Sequence, residues 1–378
     1  MTLRVAHLNV VRGFPGLVKQ LAYEREAARA LDGVAWDVYL YSEEFTDNDT
    51  AIKLGWIWRG IFRRAVFLWI WLLLNHRRYD YVLVRYNPVD PFSLIGAWFV
   101  KNRIPVFHAK TVEELRLVRA GWKGVVASRV ERVIARMTLK PVCAVIGITD
   151  DIRQHVIEST GLAGDRPSTF YPNGVLVKTI TPVPDTRSDR EIEVAFMCGS
   201  FADWHGLDIL LDGFLKEAGN NTVETPITLH LIGNIRPRDK DKVARVQALR
   251  SHHKVIEHGV LEESAYRPIF ARCHAGIGAF GLHRKGLAEA ASLKVREMLA
   301  LGVPVFAGHR DTAIPDDFPY FRYCREELLA NLVRYGFDTL AVDRETVRER
   351  AKPYIDKADQ LNRVVTFLHD LKSGRDRA

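Results

Sequence analysis

Cysteine is scarce in this chain, with four in 378 residues, at Cys143, Cys198, Cys273 and Cys324. None stands in a Cys-x-x-Cys spacing, which argues against a zinc ribbon or a disulfide framework and fits a reducing cytosol. Long apolar runs are lacking too. The uninterrupted stretch Ala65–Leu74 is ten residues, too short to span a bilayer. The opening residues, Met-Thr-Leu-Arg-Val-Ala-His-Leu-Asn-Val-Val, read as a first strand and lack the apolar core of a signal peptide. No Gly-x-Ser-x-Gly elbow occurs, and the thirteen histidines show no His-Glu-x-x-His spacing, so neither a serine-hydrolase nor a zinc-protease centre is indicated.

Acidic residues are thin in one region. Residues 51–140 hold seventeen lysines and arginines against five acids, a local excess of +12 in a chain whose net charge is +8. A basic face on one part of the molecule implies an anionic partner. Within it, Trp56-Ile-Trp-Arg-Gly-Ile-Phe-Arg-Arg-Ala-Val-Phe-Leu-Trp-Ile-Trp-Leu-Leu-Leu74 reads as a helix with Arg59, Arg63 and Arg64 on one side. Trp56, Trp58, Trp69 and Trp71 are the aromatics favoured at headgroup depth. Residues 111–140 read as one or two basic helices, with Arg116, Arg119, Lys123, Arg129, Arg132, Arg136 and Lys140 meeting only Glu113, Glu114 and Glu131. Both stretches, 56–74 and 111–140, are expected to meet an anionic membrane surface. A packed core helix and an ordinary solvated helix face are the plain structural alternatives. The tryptophans cluster in an apolar run and do not interleave with a groove of cations, so no nucleic acid is expected.

The length suggests two domains. Apolar runs at Leu3–Val10, Trp36–Tyr41, Tyr79–Tyr86, Ile104–His108 and Val142–Thr149 alternate with helical spacings, the pattern of a parallel sheet. A Pro- and charge-rich segment, Pro182–Arg190, marks a boundary, and the alternation resumes from Ile192. The expected architecture is α/β, with two Rossmann-like doubly wound domains facing a cleft. Residues 1–180 form the first, acceptor- and membrane-facing domain, and 181–352 the second. A last helix, 353–378, crosses back to the first.

Residues 280–306 concentrate the chemistry. Glu289 and Glu297 lie eight apart across a junction from loop to helix. On one helix they would stand ~80° and ~12 Å apart, too far to share a small group. With Glu289 in the loop, both can face a ligand at a helix N-terminus, whose free N–H groups suit phosphate. A solvated amphipathic helix with an acid near each end is the competing explanation. Two Asp-x-Asp strings, Asp47-Asn48-Asp49 and Asp239-Lys240-Asp241, sit in a polar turn and before a helix. Solvation and capping are the expected roles, and no metal or other cofactor is expected.

An ordered series of segments resembles the donor-binding half of retaining GT-B-fold glycosyltransferases of glycosyltransferase family 4, as found in bacterial surface-polysaccharide synthesis. The series is Tyr-Pro-Asn-Gly-Val (171–175), Phe-Met-Cys-Gly-Ser-Phe-Ala-Asp-Trp-His-Gly (196–206), Leu-His-Leu-Ile-Gly (229–233), His-Gly-Val (258–260) and the Glu-x7-Glu pair. The first half resembles the family more loosely, through Gly16 and Val106-Phe107-His108. The resemblance implies a UDP- or GDP-sugar donor and a lipid-linked saccharide acceptor in surface polysaccharide or lipopolysaccharide synthesis. It also implies retention of anomeric configuration without a metal, and the basic, Trp-rich first domain adds an expected place at the cytoplasmic, inner face of the cell membrane. It gives Glu297 the ribose hydroxyls and Glu289 the donor sugar. Backbone N–H groups of Ala291, Ser292, Leu293 and Lys294 fall to the sugar and diphosphate. The loop Gly259, Val260 and Leu261 frames the base, Gly16 and Gly199 approach the phosphate, and His108 sits at the sugar. Many members clamp the diphosphate with an Arg and a Lys where this chain has Ser200 and His205. Lys294, with His205, is expected to replace that clamp, and Arg284 or Lys285 are further sources of charge. A catalytically degenerate binding subunit is the alternative, and a sugar-nucleotide epimerase a more distant one.

Overall fold

A computed structural model describes residues 2–13, 15–44, 51–119, 121–162, 166–220, 222–249 and 251–375. The string Asp47-Asn48-Asp49 lies outside the described residues. The chain forms two compact units. One comprises Met1–Leu176, Lys285–Leu287 and Asp356–Ala378; the other comprises Val177–Arg284 and Ala288–Ile355.

The first unit is built by β1 (Leu3–Val11), α1 (Pro15–Ala28), β2 (Val34–Ser42), β3 (Ala51–Lys53), α2 (Ile61–Asn75), β4 (Tyr81–Arg85), α3 (Ser93–Phe99) and β5 (Arg103–Phe107). It continues through α4 (Thr111–Val118), α5 (Trp122–Leu139), β6 (Val145–Gly147), α6 (Asp150–Thr160) and β7 (Ser168–Phe170). The strands are parallel, in the order β3-β2-β1-β4-β5-β6-β7. Eight of the nine β1 residues are buried, as a central strand covered on both faces requires. Leu3, Val5 and Val11 pack into one core cluster, and Ala6, Leu8 and Val10 into another with α2 and α3. Thr149 caps α6, its hydroxyl accepting from Ile152 N–H at 3.3 Å, and Gly161 closes the helix in the left-handed region.

The second unit contains β8 (Ile192–Ser200), α7 (Leu207–Asn220), β9 (Ile227–Asn234), α8 (Pro237–Gln247), β10 (Lys254–Gly259), α9 (Glu263–Arg272), β11 (Ala275–Ile277), α10 (Leu293–Ala300) and β12 (Val305–Ala307). It ends with β13 (Phe321–Tyr323), α11 (Leu328–Asp338) and α12 (Arg344–Ile355). Its parallel sheet runs β10-β9-β8-β11-β12-β13. A final helix, α13 (Lys357–Arg375), returns to the first unit, where Leu361, Val364, Val365 and Leu368 join the core beside α1.

The segment 56–74 departs from expectation. Gly60, at φ 101°, separates a single 3₁₀ turn at Trp56–Trp58 from α2, so Arg59 lies outside the helix that carries Arg63 and Arg64. Trp69 is a core residue. Its indole N–H donates to Asp90 at 2.7 Å, its ring lies 5.0 Å from the Arg103 guanidinium, and a Cβ on Gly96 would stand 2.2 Å from it. Trp71 is partly buried and bonds the Tyr41 hydroxyl at 3.2 Å. Only Trp56 of the four is strongly exposed. The exposed apolar surface lies elsewhere as well. Ile95, Trp98 and Phe99 project from α3, and Trp122, Val126, Val130, Val133 and Met137 from α5. The last four recur at helical spacing beside exposed Arg129, Arg132 and Arg136. Among the described residues, no helix is long and apolar enough to cross a membrane.

Candidate functional site

In an open parallel sheet, ligands bind beyond the carboxyl ends of the strands where the strand order reverses. In the second unit that point lies between β8 and β11, which makes the loops after these two strands the candidate site. The first runs through Gly199 and Ser200 to Gly206; the second carries residues 278–292 into α10.

The two loops are stitched together. Phe280 N–H donates to the His205 carbonyl at 2.8 Å, and the Arg284 guanidinium donates to the Asp203 carbonyl at 2.8 Å. Gly206 has φ 71°, and a Cβ there would lie 2.5 Å from the Gly281 nitrogen, so close backbone approach fixes glycine at this position. A Cβ on Gly199 would meet nothing within 4 Å, which leaves its backbone open to a ligand.

Glu289 lies in the loop, and its carboxylate accepts from the Thr312 hydroxyl. The flanking backbone pairs with the segment after β12: Ala290 N–H donates to the Arg310 carbonyl at 3.0 Å and Arg310 N–H to the Ala288 carbonyl at 3.3 Å. Arg296 anchors that segment. Its guanidinium binds Asp311 through both oxygens, one at 2.9 Å, and both side chains are fully buried. Sequence reading missed Arg296, Asp311 and Thr312. The signal available was an arginine one residue before Glu297, on the side of α10 that the helical period turns inward.

Ser292 precedes α10 without a side-chain cap, so it does not occupy the N–H groups of the first turn. Lys294 stands in that turn close to Cys198, the residue before Gly199. Burial pushes the Cys198 thiol up, while the Lys294 ammonium and its hydrogen bond oppose the rise. The helix thus brings a cation to the end of β8. Glu297 follows three residues later, half-buried. His205 accepts Ala202 N–H on Nδ1 at 2.8 Å, which leaves the ring proton on Nε2 and the imidazole neutral in this arrangement. The other suggested cations are engaged: Arg284 holds Asp208 at 2.7 and 2.9 Å, and Lys285, in the first unit, holds Glu114 at 2.6 Å. Leu261 follows Gly259 at the end of β10, two strands from β8 and about 10 Å across the sheet. Asp239 is buried at the start of α8, and Arg236 and Arg238 pair with Asp203.

In the first unit His108 follows β5. Burial pushes its imidazole well below the ordinary range, with the charges of Arg85, His7 and Lys357 adding to the effect, and its Nε2 is a buried atom with no hydrogen-bond partner among the described residues. His7 Nδ1 bonds Glu24 at 2.6 Å, Trp36 donates to Glu24 at 3.0 Å, and Lys357 Nζ lies 3.3 Å from Glu24 and 3.8 Å from the Tyr171 ring centroid. Gly16, at the start of α1, is exposed and open on its Cβ side.

No protein-family profile matches this chain, and no curated protein matches it in sequence. Solved structures do. The chain is similar to the apo form of the lipopolysaccharide outer core galactosyltransferase WaaB, at 13% identity and TM-score 0.63, with 97% of this chain and 99% of that one covered. The fold is GT-B-like. The glycosyltransferase WaaG, involved in lipopolysaccharide biosynthesis, matches at 16% identity and TM-score 0.56 over 93% of this chain and 95% of its own. An α-glucosyltransferase in complex with UDP-glucose and DNA containing an abasic site matches at 10% identity and TM-score 0.60, over 98% and 100%. At these identities the likeness concerns the GT-B-like fold.

Proposed function

We propose that the protein is a retaining glycosyltransferase that moves a sugar from a UDP- or GDP-sugar to a lipid-linked saccharide in surface-polysaccharide or lipopolysaccharide synthesis. The observation that carries this reading is the convergence at the β8/β11 switch point of an open glycine, a loop carboxylate, and an uncapped helix start bearing Lys294 and Glu297. Anion-binding N–H groups, a cation and two carboxylates are the set a sugar diphosphate requires.

In this reading Glu297 accepts hydrogen bonds from the ribose and Glu289, held by Thr312, orients the donor sugar. The bond from the anomeric carbon to the departing phosphate oxygen breaks as the acceptor oxygen bonds the same face, and the acceptor proton passes to the departing oxygen. No metal is assigned; the helix N–H groups and Lys294 stabilise the developing diphosphate charge. His108, neutral by burial, is assigned to the sugar as a hydrogen-bonding group. Screening UDP-, GDP-, dTDP- and ADP-sugars for thermal stabilisation and for hydrolysis tests the reading. Stabilisation and turnover with one base class are expected, and no turnover with any donor, with or without a saccharide-lipid acceptor, excludes it.

A binding-only subunit is the second reading, favoured by the neutral Ser200 and His205 where a permanent cationic clamp is expected. It predicts nucleotide stabilisation without hydrolysis or transfer. We further assign the α3 and α5 surface, with Arg129, Arg132 and Arg136, to an anionic membrane face. Flotation with anionic vesicles at low salt is expected, and failure to float at low salt removes that assignment.

A further inference from the structure

The first unit has its own point of strand reversal, between β1 and β4, and a cavity of about 420 Å³ opens there. Its walls include Arg12, Arg64, Arg85 and Arg119, together with Ile61 and Phe62 of α2. Four guanidinium groups around one small space repel one another and favour an anion among them.

Two of the four have carboxylate partners. Arg12 pairs with Glu44 at 3.2 Å, and Arg64 with Glu43 at 2.6 Å. Arg85 and Arg119 are different. Among the described residues neither guanidinium forms a hydrogen bond or an ion pair. Arg85, at the end of β4, is half-buried, and burial lowers its guanidinium to about 10, opposed only by the Glu114 charge. That carboxylate is itself held by Lys285 at 2.6 Å. The one acid in the wall, Asp90, makes no ion pair with either, its oxygens accepting from the Trp69 indole at 2.7 Å and Phe92 N–H at 3.0 Å. Arg85 and Arg119 are therefore left without a carboxylate in contact. Beside it, Ile61 and Phe62 are each 64% exposed at the start of α2.

We propose that this cavity binds the phosphate of an amphiphilic phosphate ester, with the ester's apolar body lying along Ile61 and Phe62. One carboxylate satisfies one guanidinium fork, whereas a phosphate monoester presents three oxygens and close to two charges, matching Arg85 and Arg119 together. The exposed apolar residues at the rim select an ester with a hydrocarbon portion over the free ion. Under the glycosyltransferase reading, on which the word acceptor rests, this ligand is the acceptor or its lipid carrier; the site itself does not require that reading.

Octyl phosphate, octyl β-glucoside and inorganic phosphate, each below its aggregation limit, are titrated into the full chain by isothermal calorimetry. Arg85→Gln and Arg119→Gln are compared with the parent. Arg119 is exposed, so its replacement leaves the core intact, and cooperative thermal melts matching the parent's check that both variants fold. Octyl phosphate is expected to bind at least tenfold more tightly than either other probe and to lose at least tenfold in each variant. Equal binding of inorganic phosphate overturns the amphiphile, and equal binding of octyl β-glucoside overturns the phosphate. Undiminished octyl phosphate binding in both variants overturns the site. Binding that depends on Arg85 and Arg119, in a protein that transfers no sugar from any donor, leaves the site standing and removes the glycosyltransferase reading.

Discussion

Arg296 and Asp311 form a fully buried ion pair that anchors the segment holding the Glu289 carboxylate. Asp311 also accepts Ala313 N–H at 3.0 Å, so the pair fixes the residues on either side of Thr312, whose hydroxyl holds Glu289. Removing one partner of such a pair leaves an uncompensated charge in the interior. Arg296→Met should cost about 3–5 kcal/mol by urea unfolding. Adding Asp311→Leu should recover most of it, and a double variant no more stable than the single one contradicts this account.

Thr312→Val separates positioning from binding. It should lower kcat by roughly tenfold, the cost of about one hydrogen bond to a charged group, while the nucleotide affinity stays unchanged. Glu289→Gln should lower kcat on the order of a hundredfold. A change confined to the donor KM in both variants would place Glu289 at the nucleotide instead.

Glu297→Gln should raise the donor KM about tenfold, because a carboxylate that accepts two hydroxyls becomes an amide with one acceptor. Lys294→Ala should reduce kcat/KM by about a hundredfold or more, with Lys294→Arg retaining part of the rate. Transfer and donor hydrolysis that survive Lys294→Ala unchanged would mean that the cation beside Cys198 is not the diphosphate partner.

Stability should fall on mild acidification. Burial depresses six histidines, His108, His155, His253, His258, His274 and His309. The unfolded chain takes up these protons near about 6.5 and the folded chain only at lower pH, so stability is full above that value and drops below it. Asp90 and Glu131, raised by burial, act with the opposite sign and temper the slope. Burial opposes ionisation of Glu24, but His7 and Lys357 hold its carboxyl far below the usual range, so its contribution is lost only below about pH 4.3. Thermal melts from pH 7.5 to 4.5 should show the histidine-driven decline first, with His108→Gln flattening part of it. A midpoint constant from pH 7 to 5 would refute this.

The β-α alternation was legible because buried parallel strands such as Leu3–Val11 are apolar on both faces, and Ser-, Thr- and Gly-rich junctions punctuate them. The short strands β3, β7 and β13 were missed; at three residues each they are specified by their neighbours rather than by a run of their own. Trp69 misled because an indole suits a headgroup boundary and a core equally well, and only Gly96 and Asp90, far off in sequence, decide between them. Glu289 and Glu297 were visible through spacing. Their support from Arg296, Asp311 and Thr312 was not, since a buried ion pair looks like surface charge until its burial is known.

Residues 357–368 complete a core that begins at Leu3, yet the whole second unit lies between them in sequence. On the ribosome, β1 to β7 emerge long before the helix that covers them, with Glu24 awaiting the ammonium of Lys357. The first unit to be synthesised is therefore the last to be finished. A chain cut before Lys357 should leave an aggregation-prone nascent sheet, even though every strand of both sheets has been made.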